Sequence, residues 1–126
     1  MKTNNYILQK LKTSVDTDFK RAEMYYTILS LVNNLELTKR EIQLVTFAAI
    51  RGNISSSTNK NDFCSLFNSS YNTIKNIVSK LRKMGIFIKQ NNKTIVNPII
   101  VLDFKKNLSL FISIENDDRK AKVADD

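Results

Sequence analysis

Apolar residues in the first third of the chain recur at helical spacing. Between Asp16 and about Asn34, one stripe holds Phe19, Ala22, Tyr26, Leu29 and Val32, and a second holds Met24, Ile28, Leu31 and Leu35. At about 100° per residue the two stripes point to different sides of one helix. Asp16 or Thr17 supplies its N-cap. A helix on the outside of a monomer needs one apolar stripe. The second therefore requires cover, either from the N- and C-terminal segments or from another subunit.

Thr38 followed by Glu41 forms a capping-box pattern and opens a second helix, which buries Ile42, Val45 and Ala49. Gly52 can take the left-handed conformation that ends it. The polar run "ISSSTNKN", Ile54 to Asn61, reads as a loop. A short helix over "KNDFCSLF" follows, capped by Asn61 and burying Phe63, Leu66 and Phe67. Ser69 or Ser70 then caps a longer helix in which Ile74, Ile77, Val78 and Leu81 return at helical spacing. Its last turn carries Lys80, Arg82 and Lys83, the sign that the carbonyl end favours, and Gly85 stops it.

After Gly85 the period changes to two. "IFIKQ" and "TIVN" flank "NNK", which predicts a hairpin with its tip at Asn91–Lys93, because Asn tolerates positive φ. Pro98 interrupts the next strand or moves the chain to another edge. "IIVLDF", "KKN" and "LSLFISIE" predict a second hairpin. In its last run Leu108, Leu110, Ile112 and Ile114 alternate with Ser109, Phe111, Ser113 and Glu115, which implies one buried face. Residues 1–15, with Tyr6, Ile7, Leu8, Leu11 and Val15, form an N-terminal arm whose pattern fits helix or strand. Residues 116–126 form a mixed-charge tail expected to be mobile. The fold class implied is α+β, a mainly helical N-terminal part with one or two C-terminal β-hairpins.

Composition narrows the chemistry. The 126 residues suit one domain with one core. There is no histidine, which removes the commonest general base and metal ligand. Gly52 and Gly85 are the only glycines, too few for a phosphate-cradling loop. No catalytic, metal or cofactor-binding residue is assigned, and the expectation is a protein that is not an enzyme. The single cysteine, Cys64, reads as a small buried hydrophobe and suits a reducing compartment. Apolar stretches fall short of a membrane span, and the first residues lack an apolar block with a cleavage site. An intracellular, cytoplasmic protein is expected, of cellular or viral origin.

Net charge is +8 and the pI about 9.7, a balance that suits an anionic partner. Its distribution says more. From Phe63 to Leu102 there is no Asp or Glu, while Lys75, Lys80, Arg82, Lys83, Lys89 and Lys93 all fall in that window. With Ile74, Ile77, Val78 and Leu81 inward, Asn72, Asn76, Ser79 and Lys83 lie on the opposite side of the helix. Thr73, Lys75 and Lys80 flank them, and Tyr71 falls near the apolar edge. Asn reads base edges, whereas cations and hydroxyls at a helix start hold phosphates. A merely solvated back would more typically mix Glu with Lys at i,i+4, and this one has no Glu. No exposed aromatic ladder of the kind single-strand binders use is evident.

The order of helix, short helix, longer basic helix and hairpin resembles a winged helix-turn-helix domain. The resemblance covers Leu37 to Pro98: "LTKREIQLVTFAAIRGN" as first core helix, "NKNDFCSLFNSSYNTIKNIVSKLRKMG" as helix, turn and recognition helix, and "IFIKQNNKTIVNP" as wing. It is of the broad MarR-like or replication-initiator-like class. "LTKRE" and "TIKNIVSKLRKMG" are also locally similar to LuxR-type domains, which lack a wing. The resemblance implies a winged-helix domain over residues 16–98, its wing at about 86–97, with C-terminal strands over 99–115 packed on it. The expected function is non-enzymatic binding of double-stranded DNA, as in a transcription regulator. Recognition helix 70–84 would enter the major groove, and wing 89–93 would lie on the backbone. Asn72, Thr73, Asn76 and Ser79 would face bases; Ser70, Lys75, Lys80, Lys83, Lys89, Asn92 and Lys93 would line the remaining contact. A homodimer through helix 16–34 would read two half-sites. The competing expectation is a structural or adaptor protein of a viral particle or a replication assembly, using the same scaffold to hold a protein partner.

Overall fold

The computed structural model describes residues 17–115; the N-terminal arm, Asp16 and the charged tail lie outside them. Four helices and one two-stranded antiparallel sheet give an α+β architecture in this region. Helix α1 (Asp18–Val32) starts where Thr17 Oγ1 accepts from the Lys20 N–H. Helix α2 (Lys39–Arg51) opens with the expected reciprocal cap. The Glu41 N–H donates to Thr38 Oγ1 at 3.2 Å, and the Thr38 N–H donates to Glu41 Oε1 at 2.8 Å. Gly52, at φ +96°, ends α2 with its N–H on the Ala48 carbonyl.

The connection after α2 departs from expectation. Asn53 Oδ1 accepts from the Ser55 and Ser56 N–H groups, a side-chain-built turn that reverses the chain within four residues. Ser56 then caps helix α3 (Ser57–Phe67) by accepting from the Asn59 N–H. The polar run over 54–61 is therefore mostly helix, and Asn61 lies inside that helix rather than capping it. The physical reason is tertiary. Asn59 is buried, donating its amide to the Asn53 carbonyl at 2.9 Å, and Arg51 reaches Asp62 at 2.7 Å. These bonds outweigh the poor helix propensity of Ser, Thr and Asn. Leu66, expected inside, is largely exposed; Phe63 is buried and Phe67 half-buried.

Asn68 takes a left-handed C-cap, and Ser70 caps helix α4 (Tyr71–Lys83). Gly85, at φ +76°, turns the chain into β1 (Phe87–Gln90), which pairs with β2 (Lys93–Val96). Only Asn91 and Asn92 connect the two strands, at φ +53° and +62°, the handedness that matches strand twist in a two-residue turn. The hairpin is pinned at both ends. The Asn97 N–H donates to the Ile86 carbonyl at its base. On the outer edge of β2, the Ile54 N–H donates to the Thr94 carbonyl and Ser55 Oγ accepts from the Thr94 N–H. The turn between α2 and α3 thus lies along the sheet.

The core sits around α2, whose Leu44, Val45, Phe47 and Ala48 are buried with Tyr26, Ile54, Phe63, Ile74, Leu81 and Phe87. Phe63 and Phe67 pack face to edge with Phe47, and Phe19 stacks on Phe67. Beyond Asn97 a 3-10 turn at Pro98–Ile100 sends the chain back across α1. There the Tyr26 hydroxyl donates to the Ile100 carbonyl and Arg21 donates to the Phe104 carbonyl, both at 2.7 Å.

The second hairpin is not formed: residues 101–115 contain no strand. The aliphatic face is open, with Leu110, Ile112 and Ile114 exposed, and so is Phe111 on the alternate side; Phe104 is buried and Leu108 half-buried against the core. Alternation marks two faces of a strand, but a strand also needs a hydrogen-bonding edge, and the chain has been led to a helix instead. On α1, Met24 and Ile28 of the second stripe are half-buried and Leu31 is 76% exposed; Leu35, half-buried, lies beyond the helix end at Val32. Val32, from the first stripe, is also exposed.

Candidate nucleic-acid interface

Helix α4 separates its residues cleanly. Ile74, Ile77 and Leu81 are buried and Val78 half-buried, all on the face turned to the core beside α3 and β1. On the outer side Asn72, Lys75, Asn76, Ser79 and Lys83 are exposed and Thr73 is half-exposed. Spacing of three and four places Asn72, Asn76, Ser79 and Lys83 in one row along the axis. At the N-terminus Ser70 Oγ accepts from the Thr73 N–H at 3.2 Å and lies 3.0 Å from Thr73 Oγ1. The first turn has further N–H groups without intrahelical partners, aimed outward with the positive end of the helix dipole. Amides, hydroxyls and cations thus share one exposed surface.

The hairpin carries Lys89, Asn92 and Lys93, all exposed. Its register pairs Lys89 with Thr94 and Gln90 with Lys93. Side chains alternate along each strand, so Lys89 shares a face with Phe87 and Val96, and Lys93 shares the other with Ile88 and Ile95. The two ammonium groups flank the turn from opposite faces rather than forming a row.

Lys80 is the one expected contact that the geometry commits elsewhere. Its Nζ lies 2.8 Å from Glu41 Oε2, although the lysine side chain is half exposed. Glu41 is 5% exposed. Burial pushes its carboxyl up, but the Lys80 hydrogen bond and charge and the Thr38 N–H more than offset this, leaving it below its ordinary value. Glu41 is therefore a carboxylate at neutral pH, and it offsets the Lys80 charge at 2.8 Å. Counting acids along the chain from Phe63 to Leu102 could not find Glu41, because it reaches α4 from α2.

Two groups were missed by pattern reading. Tyr71 is exposed, its hydroxyl donates to Asn61 Oδ1, and Lys60 Nζ sits 5.8 Å from its ring centroid. Reading residues 54–61 as a loop hid this cluster; a helix starting at Ser57 places Lys60 and Asn61 beside the start of α4. Arg82 is exposed as well, one position from Lys83. The signal for it was present in the last-turn cations.

A cleft of about 530 Å³ is lined by α1, α2 and α3 residues including Phe19, Phe47 and Leu66, and by none from α4 or the hairpin. Among the described residues no three His, Cys, Asp or Glu side chains cluster as metal ligands, and no helix is long and apolar enough to cross a membrane. No protein-family model, no curated protein and no solved structure matches this chain. The chemistry of the α4 surface is the ground for any reading of its role.

Proposed function

We propose that the protein binds duplex DNA without catalysing a reaction on it, as a transcription regulator or related DNA-handling factor. In this reading α3 and α4 form a helix-turn-helix, α4 enters the major groove, and the β1–β2 hairpin is a wing against the phosphate backbone. The observation that carries it is the exposed row of Asn72, Asn76, Ser79 and Lys83 on a helix whose other side is fully anchored. Asn72 and Asn76 supply the planar amide that pairs with adenine, and Ser79 a hydroxyl that suits either base type. Ser70, Lys75, Lys83, Lys89 and Lys93 supply phosphate contacts, with Thr73 beside the bases and Asn92 at the wing tip. Lys80 leaves this set because Glu41 holds it. Support for the winged arrangement comes from the Ile54–Thr94 bond, which gives the hairpin a third backbone partner between α2 and α3.

A second reading, an adaptor that holds a protein partner on the same scaffold, is favoured by the exposed apolar side chains of Leu110 to Ile114. Fluorescence anisotropy with mixed-sequence duplex at low salt separates the two. The DNA reading predicts saturable binding, weakened when Asn72 and Asn76 are both changed to Ala. Indifference to duplex DNA at low salt sinks it and leaves the adaptor.

A further inference from the structure

The segment Leu108–Ile114 reads "LSLFISI", and its order of side chains is nearly the same in both directions. Leu and Ile alternate with Ser around a central Phe111. Beyond Leu108 its large apolar side chains are exposed, Leu110 in part and Phe111 and Ile114 almost wholly, at 95% and 98%. Such a run has strong β propensity, no charge and no proline. Within the described residues it has no strand beside it.

We infer that residues 108–114 are the dimerisation strand of this protein, pairing antiparallel with the same segment of a second copy about Phe111. In that register Phe111 faces its own counterpart across the two-fold axis. Ser109 lies opposite Ser113, Leu110 opposite Ile112, and Leu108 opposite Ile114. One face of the ribbon is then wholly aliphatic, and the other is a phenylalanine pair between two serine pairs. Aromatic pairs and hydroxyl pairs directly across a ladder both favour it. A self-complementary surface is what a two-fold contact requires.

Charge selects the antiparallel direction. Lys105 and Lys106 precede the run and Glu115 follows it. Antiparallel pairing sets Glu115 opposite Asn107 and diagonal to Lys105, so each basic entry meets an acidic exit. A parallel pairing would put Glu115 beside Glu115 and lysine beside lysine, which is unfavourable. A two-stranded ribbon alone is marginal in water and needs a surface behind it. Leu108 is already packed against the core and belongs to the aliphatic face, so that face is turned toward the body of each protomer. This inference does not rest on duplex binding.

The test uses the full chain. Light scattering should give twice the 14.5 kDa chain mass. Phe111→Lys should return it to the single mass with its helical circular dichroism signal and thermal unfolding kept, because an exposed side chain is being replaced. In a Cys64→Ala background, Phe111→Cys should cross-link to itself on mild oxidation, since paired strands bring Cα atoms within disulfide range. Ser109→Cys should cross-link only when mixed with Ser113→Cys. A single-mass species at every concentration overturns the inference. So does a dimer that survives Phe111→Lys but dissociates on Leu31→Lys, which would move the interface to α1. Self-cross-linking by Ser109→Cys alone would also overturn it, as the register would be parallel.

Discussion

The aliphatic side chains of α4 and those of residues 110–114 are equally regular along the chain and end in opposite environments. Ile74, Ile77 and Leu81 are closed off in the core beside α3 and β1, whereas among the described residues Leu110 is only partly covered and Ile112 and Ile114 are largely exposed. The difference lies in what each pattern needs. A helix satisfies its own backbone and asks its neighbours only for apolar area. A strand needs a neighbour's N–H and C=O groups as well. In the described sheet the outer edge of β2 is already taken by Ile54 and Ser55. The chain after the Pro98 turn is carried to α1, which Ile100 and Phe104 meet, and away from the sheet.

The sharpest way to break this comparison is to remove matched side chains from both regions. Leu81→Ala should cost about 2–5 kcal/mol in denaturant unfolding, because a fully buried leucine leaves a cavity. Ile114→Ala should stay within about 0.5 kcal/mol of wild type, measured at a concentration where the chain is a monomer. Equal losses would mean that the C-terminal segment is covered after all.

A smaller effect is expected where α4 meets α2. Lys80→Met should cost about 1 kcal/mol at neutral pH, a figure kept low because the lysine is half exposed and screened. Glu41 has a folded-state carboxyl below its ordinary value. Its contribution is therefore present above the unfolded carboxylate value and lost as pH falls through the folded one. Unfolding curves of wild type and Lys80→Met should converge as pH falls below the ordinary glutamate range, through the lowered Glu41 value. A gap that stays constant with pH would mean that the ion pair is not its source.

The smallest effects concern the ends of the two elements. Ser70→Ala should lose about 1 kcal/mol with the N-cap bond to Thr73. Asn92→Gly should gain a few tenths of a kcal/mol, at most about 1, by relieving a left-handed residue in the hairpin turn. Both are read from thermal unfolding. A loss at Asn92→Gly would mean that the asparagine side chain contributes more to the turn than its φ angle costs.

The parts of the fold written in local chemistry were legible. Thr38 with Glu41, Gly52 and Gly85 each act through their own neighbours and stand where the pattern placed them; Ser70 is one of the two caps it allowed, and the hairpin tip is one residue shorter than expected because Lys93 already belongs to β2. The start of α3 was not legible, because the groups that stabilise it come from elsewhere: Arg51 from α2 and Asn53 from the turn before it. The missing second hairpin has the same origin, since alternation says nothing about which edge is vacant. In the candidate site, helical phase was enough to put Asn72, Asn76, Ser79 and Lys83 on one exposed side. It could not show that Glu41 claims Lys80, or that Lys89 and Lys93 point to opposite faces, because both depend on contacts across the fold.

The central claim is that the outer surface of α4 and the hairpin tip meet a phosphate backbone. The most direct test is duplex affinity against salt for wild type, Lys83→Ala and Lys80→Ala. The account predicts a steep linear fall of log affinity with log salt. Lys83→Ala should reduce the slope by about 1, the loss of one phosphate contact. Lys80→Ala should leave the slope unchanged, because that charge already belongs to Glu41. Absence of binding at low salt, or a slope that Lys80 lowers and Lys83 does not, would contradict it.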